Sequence, residues 1–156
     1  MGELPRLTAA AAEQLDLPLS HRQLEQFARY RAELLEWNQR INLTSLRSAE
    51  QVETGHFLDS LFCLRAGIPS GCRLLDVGSG AGFPGLALAI VRPDIRVTLL
   101  EATGKKARFL EHVASALELR DVEVLPQRAE ELDRRGAFDV VVARALAALP
   151  ALLELT

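Results

Sequence analysis

Asp76, Gly78, Gly80, Gly82 and Glu101 are the residues of this 156-residue chain whose types and spacing could do chemistry. The first four lie in one run, Asp76, Val77, Gly78, Ser79, Gly80, Ala81, Gly82, Phe83, Pro84 and Gly85, directly after the apolar Leu74 and Leu75. Glycine reaches backbone angles closed to other residues, and without a side chain it lets a ligand lie against the main chain. Three glycines so close together weaken a strand or helix with no packing return, so a bare turn is a poor account of them. Pro84 suits the first turn of a following helix, where its missing N–H is an orphan in any case.

A glycine-rich turn between strand and helix also serves dinucleotides, but their fingerprint is Gly-x-Gly-x-x-Gly with a pyrophosphate on the helix N-terminus. Here the spacing is Gly-x-Gly-x-Gly, with a carboxylate two places ahead. A carboxylate there favours a ligand that carries an ammonium and a sulfonium over one that carries phosphates. The next apolar run, Arg96 to Leu100, ends at Glu101, where an acid can accept both ribose hydroxyls. Together Asp76, the glycines and Glu101 point to S-adenosyl-L-methionine as the cofactor, ahead of NAD.

The elements that must position these residues follow from periodicity and turn signals. Ser20 and Gln23 form a capping box, after which Leu24, Phe27, Ala28, Leu34 and Leu35 recur at helical spacing, so a helix is expected to end near Trp37. A polar segment from Asn38 to Ser48 leads to a second helix from about Ala49 to Arg65, and the turn from Gly67 to Gly71 closes this lead-in. Residues 1–19 allow one short helix. Strands at 73–77, 96–100, 122–125 and 138–143 then alternate with helices at 84–91, 103–118, 128–133 and 147–155. Such alternation specifies an α/β fold with a parallel sheet, and ligands on such sheets sit at the carboxyl ends of the strands. Asp76, Glu101 and Arg144 fall at three such ends and Arg128 to Glu131 follow the fourth, so four loops converge. The expected organisation is an N-terminal helical region, 1–68, and an adenosylmethionine-binding Rossmann-like domain, 69–156.

Bulk properties bound this reading. At 49% hydrophobic, the chain can bury one sizeable core. No apolar stretch approaches the ~20 residues of a membrane span, and the first residues show no export signal, so a cytoplasmic protein with no membrane partner is expected. Cys63 and Cys72 have no companions at metal-ligand spacing; they read as buried small apolar residues, with no metal site. A net charge of −3 excludes whole-surface attraction to nucleic acid and requires any RNA contact to use a local patch. Lys105, Lys106 and Arg108, at a helix start near the glycine turn, could form one or could be a solvated helix face. His21 and His112 read as surface residues.

Further motifs run along the chain in a recognisable order: Trp37-Asn38 with Asn42-Leu43-Thr44, His56-Phe57-Leu58-Asp59-Ser60, the glycine turn, Ile90-Val91-Arg92-Pro93, Gly104-Lys105-Lys106 with Arg108-Phe109-Leu110, and Phe138-Asp139 with Arg144-Ala145. In this series, which covers residue 20 to the end, the chain resembles the bacterial 16S ribosomal RNA guanine-N7 methyltransferases, the small-subunit methyltransferase G or glucose-inhibited division protein B family. The resemblance implies a class I adenosylmethionine-dependent methyltransferase sheet with an N-terminal helical extension, acting on 16S rRNA of the small ribosomal subunit, as a monomer. It implies cofactor contacts at Gly78, Phe83, Ala129, Glu130 and Arg144, with Glu101 at the ribose. Phe83 can stack on the adenine or be core; Ala129 can give a backbone N–H to the ring; Glu130 can contact the cofactor or be a solvated acid. Arg144, a cation beside an apolar run, needs an anionic partner: the cofactor carboxylate, an RNA phosphate or Asp76.

Guanine N7 has a lone pair and no proton, so no general base is assigned and positioning is expected to supply the catalysis. The positioning candidates are Asn42, His56, Asp59, Arg128 and Arg144. Asn42 can read the guanine edge or cap a turn, and His56 and Asp59 can shape the substrate pocket or make an interhelix hydrogen bond. RNA contacts are drawn from Arg40, Arg47, Lys105, Lys106, Arg108 and Arg128, around an extruded base. Thr54 and Gly55 stand where relatives place a basic residue before the histidine, so that contact is not carried over. Relatives continue past the position of Thr156 into further strands of a sheet of about seven, so the sheet is expected to lack its C-terminal strands. A non-catalytic adenosylmethionine- or RNA-binding fragment, and a methyltransferase for a small molecule or a protein, are the alternatives.

Overall fold

The computed structural model describes residues 2–133 and 136–144. The chain starts with α1 (Arg6–Gln14) and α2 (His21–Trp37), the latter opened by the expected capping box, in which Ser20 Oγ accepts from the Gln23 N–H at 3.1 Å and Gln23 Oε1 from the Ser20 N–H at 2.9 Å. The second expected helix is not uniform. It begins as α3 (Ala49–Val52), widens into a π-helical turn at Glu53–Phe57, resumes as α4 (Leu58–Phe62) and ends in a 3₁₀ turn, Cys63–Ala66. Single π turns of this kind insert a residue into a helix and re-aim the side chains around them; here Glu53, His56 and Phe57 all become buried.

From Arg73 onward the order is β1 (Arg73–Val77), α5 (Gly85–Val91), β2 (Arg96–Leu100), α6 (Gly104–Ala116), β3 (Val122–Leu125), a 3₁₀ turn at Ala129–Glu131 and β4 (Val140–Val142). The first three strands have the expected bounds. Among the described residues the sheet has four parallel strands in the order β3-β2-β1-β4, with Leu74 opposite both Val97 and Val140 and Val97 opposite Val122.

Several expectations need correction. Pro84 caps α5 and does not form its first turn, because Asp76 takes up the Gly85 N–H. Helix α6 stops at Ala116, since Glu118 adopts a left-handed φ of +57°. The helix expected at 128–133 is only the 3₁₀ turn. Strand β4 is shorter than expected, Val140–Val142, with Asp139 just ahead of it paired to the Arg73 side chain at 3.0 Å. The helix expected at 147–155 and Ala145 lie outside the described residues.

Alternate strand residues feed two apolar clusters, as a two-residue period requires. Leu74, Val97 and Leu99 join Phe27, Tyr30 and Leu34 of α2, Leu86, Leu88 and Ile90 of α5, and Phe109, Leu110 and Val113 of α6 in the main core. Leu75, Val77 and Leu100 meet Phe138 on the opposite face. The N-terminal helices therefore share a core with the sheet. Helix α2 runs antiparallel to α6: Gln26 Nε2 donates to the Leu117 carbonyl, Glu33 Oε2 is 2.8 Å from His112 Nε2, and Trp37 packs edge-on against Phe109. His112 is exposed, as expected, and also makes this interhelix contact. Cys72 is buried, but Cys63 is only half-buried, contrary to expectation.

Candidate functional site

The end of β1 passes straight into the glycine turn, and the Gly78 and Ser79 N–H groups both donate to the Leu100 carbonyl at 2.9 and 3.0 Å, lashing the turn to the end of β2. Gly78, Gly80 and Gly82 all have positive φ, +69°, +57° and +101°. They are not equivalent. A Cβ at Gly80 would meet nothing nearer than the Gly78 carbonyl at 3.9 Å, so that side of the turn is open. A Cβ at Gly82 would press on the Tyr30 hydroxyl, Leu86 Cβ at 3.0 Å and Leu110 Cδ2 at 3.1 Å. The space at Gly82 is therefore filled by the protein's own packing, which corrects the expectation that it lies open to a ligand. Tyr30, from α2, completes the turn by donating its hydroxyl to the Ala81 carbonyl at 2.6 Å.

The two acids serve the turn as well. Asp76 is fully buried; its Oδ2 accepts from the Gly85 N–H at 2.9 Å, and its Oδ1 has no hydrogen-bond partner among the described residues. Burial pushes its pKa up to about 7, against the hydrogen bonds from Gly85 and Ser79 and the positive charge of Arg144. Glu101 is 7% exposed and spends one lone pair of each oxygen on the backbone, accepting from Gly80 N–H at 2.8 Å and from Thr103 N–H at 2.8 Å. A carboxylate has about four acceptor sites, so both oxygens keep capacity for ribose hydroxyls.

A cleft of about 210 Å³ opens at the carboxyl ends of the strands, lined by Val77 and Gly78 after β1, Leu100 and Ala102 after β2, and Gln127, Arg128, Ala129 and Glu130 after β3. Gly78, Arg128, Ala129 and Glu130, four of the expected site residues, thus meet at one opening. Larger depressions lie elsewhere, between α2 and the amino ends of the strands and beside α1. Three converging loops at one opening, next to a glycine turn whose Glu101 keeps acceptor capacity, fit a small ligand bearing ribose hydroxyls.

Next to the turn lies an aromatic stack that sequence reasoning did not find. The Phe83 ring, 4% exposed, has the Tyr30 ring parallel to it at 5.0 Å and the His56 ring parallel to it at 4.3 Å. Of the two readings open for Phe83, adenine stacking or core, the burial of the ring favours core, as a support of the turn. Arg144, at the end of β4, lies over the same ring at 5.4 Å. Its Nη2 is 2.7 Å from His56 Nδ1 and its Nη1 3.4 Å from Asp59 Oδ2. Among the described residues the direct partners of Arg144 are Asp59 and His56, and Asp76 acts on it through space. A guanidinium only donates, so His56 Nδ1 is the acceptor and the ring is neutral, with its proton on Nε2 and donated to Thr44 Oγ1 at 2.8 Å. Burial, then the Arg144 charge, lowers the His56 pKa to about 4. Thr44 is held by Asn38, whose Oδ1 accepts from the Leu43 and Thr44 N–H groups at 2.9 and 3.0 Å. The loop-closing role considered for Asn42 thus belongs to Asn38, and Asn42 is exposed.

The expected RNA-contacting cations divide. Lys105, Arg108, Arg47 and Arg128 are exposed and Lys106 half-buried, while Arg40 is exposed but paired with Glu36 at 3.1 Å. The antiparallel packing of α2 on α6 sets the end of α2, which leads to Arg40, beside the start of α6, which carries Lys105 and Lys106. That is also the end at which the cleft opens.

Against this geometry, a family model described as GidB, rRNA small subunit methyltransferase G, matches residues 23–156. A ribosomal RNA small subunit methyltransferase G from Roseiflexus castenholzii is 50% identical over 99% of this chain and 66% of its own length. Another of the same name from Roseiflexus sp. strain RS-1 is 53% identical over 88% of this chain and 61% of its own length. The chain thus spans just under two thirds of these relatives. Among solved structures, a putative protein-L-isoaspartate O-methyltransferase from Plasmodium falciparum, in complex with S-adenosyl-L-homocysteine, superposes with a TM-score of 0.57 at 15% identity, over 99% of this chain and 80% of that one. That likeness is one of fold: the Rossmann-like sheet of class I methyltransferases.

Proposed function

The chain belongs to the rRNA small subunit methyltransferase G family, and from that premise we propose that it transfers the methyl group of S-adenosyl-L-methionine to N7 of a guanine in 16S rRNA of the small ribosomal subunit. The observation that carries this reading is the cleft at the carboxyl ends of β1, β2 and β3, where Val77 and Gly78 of the glycine turn meet Leu100, Ala102 and the loop from Gln127 to Glu130, with Glu101 tied to the turn through the Gly80 N–H.

In this reading Gly78, Gly80, Ala129 and Glu130 line the adenosine side, Glu101 takes the ribose hydroxyls with its remaining lone pairs, and Asp76 and Arg144 face the amino acid moiety with opposite charges. Phe83 and Gly82 hold the turn and contact the cofactor only through backbone. When bound, adenosylmethionine supplies an electrophilic methyl group, to which the N7 lone pair adds directly while the sulfonium leaves as a thioether. No proton is removed from the guanine, so the chain's residues bind, orient and exclude water. Well-oriented reactants gain on the order of 7–11 kcal/mol from positioning. Asn42, which is exposed, contacts the extruded guanine, with Arg40, Arg47, Lys105, Lys106, Arg108 and Arg128 on the RNA backbone. Among the described residues no helix is long and apolar enough to cross a membrane, and we take the protein to act as a monomer in the cytoplasm. The boundary at 68/69 then divides a substrate-facing helical region from the cofactor-binding sheet, although the two share a core.

The test is to incubate the chain with labelled adenosylmethionine and small ribosomal subunits from cells lacking the endogenous enzyme, then map N7-methylguanine by borohydride–aniline cleavage. One new cleavage site in 16S rRNA is the expected outcome. Cofactor binding without cleavage would overturn the catalytic reading in favour of a binding fragment, and methyl transfer confined to a small molecule or protein would overturn the substrate.

A further inference from the structure

The π-helical turn Glu53–Phe57 brings His56 to Arg144 at the end of β4, and both of its ring nitrogens have partners, Arg144 and Thr44. We propose that His56 is a positioning residue: by accepting from Arg144 on Nδ1 while donating from Nε2 to Thr44, it holds the guanidinium over the Phe83 ring of the glycine turn, where it meets the carboxylate of the cofactor's amino acid moiety. The inference rests on the reading of the cleft as an adenosylmethionine site.

Three observations support it. His56 is 7% exposed, stacked 4° from parallel on Phe83 at 4.3 Å, and bonded at 2.7 and 2.8 Å on its two nitrogens, so neither tautomer nor ring orientation is free. Its lowered pKa agrees with a ring that stays neutral beside a fixed positive charge. The chain of contacts is built for support from behind, since Asn38 fixes Thr44, Thr44 fixes His56, and His56 with Asp59 fixes Arg144. A flexible arginine loses side-chain freedom when it meets a ligand; one already held in place loses less.

The experiment compares two ligands and two matched variants. S-adenosylhomocysteine carries the amino acid carboxylate; 5′-methylthioadenosine lacks the whole amino acid moiety. His56→Asn and His56→Gln both remove the ring and its stack, but Asn keeps an acceptor near the Nδ1 position and Gln places its amide near the Nε2 position. Calorimetry on the purified chain measures the affinity ratio of the two ligands, and thermal unfolding confirms that both variants fold.

We expect His56→Gln to lower the ratio about tenfold, the scale of a lost hydrogen bond to a charged group, with methylthioadenosine affinity nearly unchanged and His56→Asn recovering most of the ratio. Arg144→Gln should lower the ratio at least as far. Equal ratios in the Asn and Gln variants, or equal losses for both ligands, would reduce His56 to packing and overturn the proposal. An unchanged ratio in Arg144→Gln, with weakened RNA binding, would assign Arg144 to a phosphate and overturn it while the cofactor reading stands. Binding of neither ligand by the unaltered chain would sink both readings together.

Discussion

The Asp76 carboxyl and the His56 ring respond to pH in opposite senses, and their separation is a matter of sign. Asp76 has its pKa raised from 3.8 to about 7, so between those values the folded chain holds its proton more tightly than the unfolded one. That stabilisation is present below pH 3.8 and is lost as pH rises through 7. His56 has its pKa lowered from 6.5 to about 4, so folding is opposed as pH falls through that window. A bare melting curve mixes the two. Comparison of the chain with Asp76→Asn, which cannot titrate, isolates the first: the Tm difference should move in favour of the Asn variant between pH 5 and 8. A difference constant across that range would show that Asp76 titrates at its ordinary value. The placement of Asp76 and Gly78 around the end of β1 and of Glu101 just after β2 was legible because each follows a short apolar strand run. Gly82, Asn38 and Tyr30 were not, because what they do depends on partners that only folding supplies, such as the bond from Tyr30 to Ala81 across 51 positions.

Helix α1 is attached by polar contacts of unusual depth. Glu53 Oε2 accepts from both the N–H and the hydroxyl of Thr8 at 3.0 Å, and Glu53 Oε1 accepts from Arg31 Nη1 at 3.0 Å, with Glu53 and Arg31 both buried. The other Arg31 nitrogen, Nη2, donates to the Glu3 carbonyl. Removing one member of a buried pair leaves the other charge uncompensated, which costs about 3–5 kcal/mol. Glu53→Ala should therefore lower the unfolding free energy by that amount in urea titration, whereas Glu118→Ala, which breaks the exposed pair with Arg22, should cost under about 1 kcal/mol. Similar small losses for both would show that α1 is not held through Glu53. The strands and α2 were predictable because alternation, caps and apolar periodicity are local signals. The π turn was not, since no residue type in Glu53–Phe57 marks the insertion of one residue into a helix, and the early end of α6 depends on one left-handed residue, Glu118.

At the scale of the molecule, a net charge of −3 means that the proposed RNA contact has to use a local patch. The antiparallel pairing of α2 and α6 gathers the end of one helix and the start of the other beside the cleft. Replacing Lys105 and Lys106 together by Gln should weaken RNA binding and make its dependence on log salt shallower by about one to two units, while adenosylmethionine binding is kept. A filter-binding titration across salt concentrations reads this directly, and an unchanged slope would move the footprint off α6. The fold class was legible because alternation of strand and helix has few solutions. The shared core of helical region and sheet was not, since apolar positions announce burial without naming what buries them.

Tyr30 has a further consequence, for descent. Its hydroxyl occupies the space that a side chain at position 82 would need, and its ring backs Phe83. A lineage cannot enlarge residue 82 while residue 30 stays a tyrosine, nor shrink residue 30 without leaving the Ala81 carbonyl unmet. The helix and the glycine turn are bound to diverge as a pair, so grafting the helical region of a distant relative onto this sheet should succeed only when positions 30, 82 and 83 travel together.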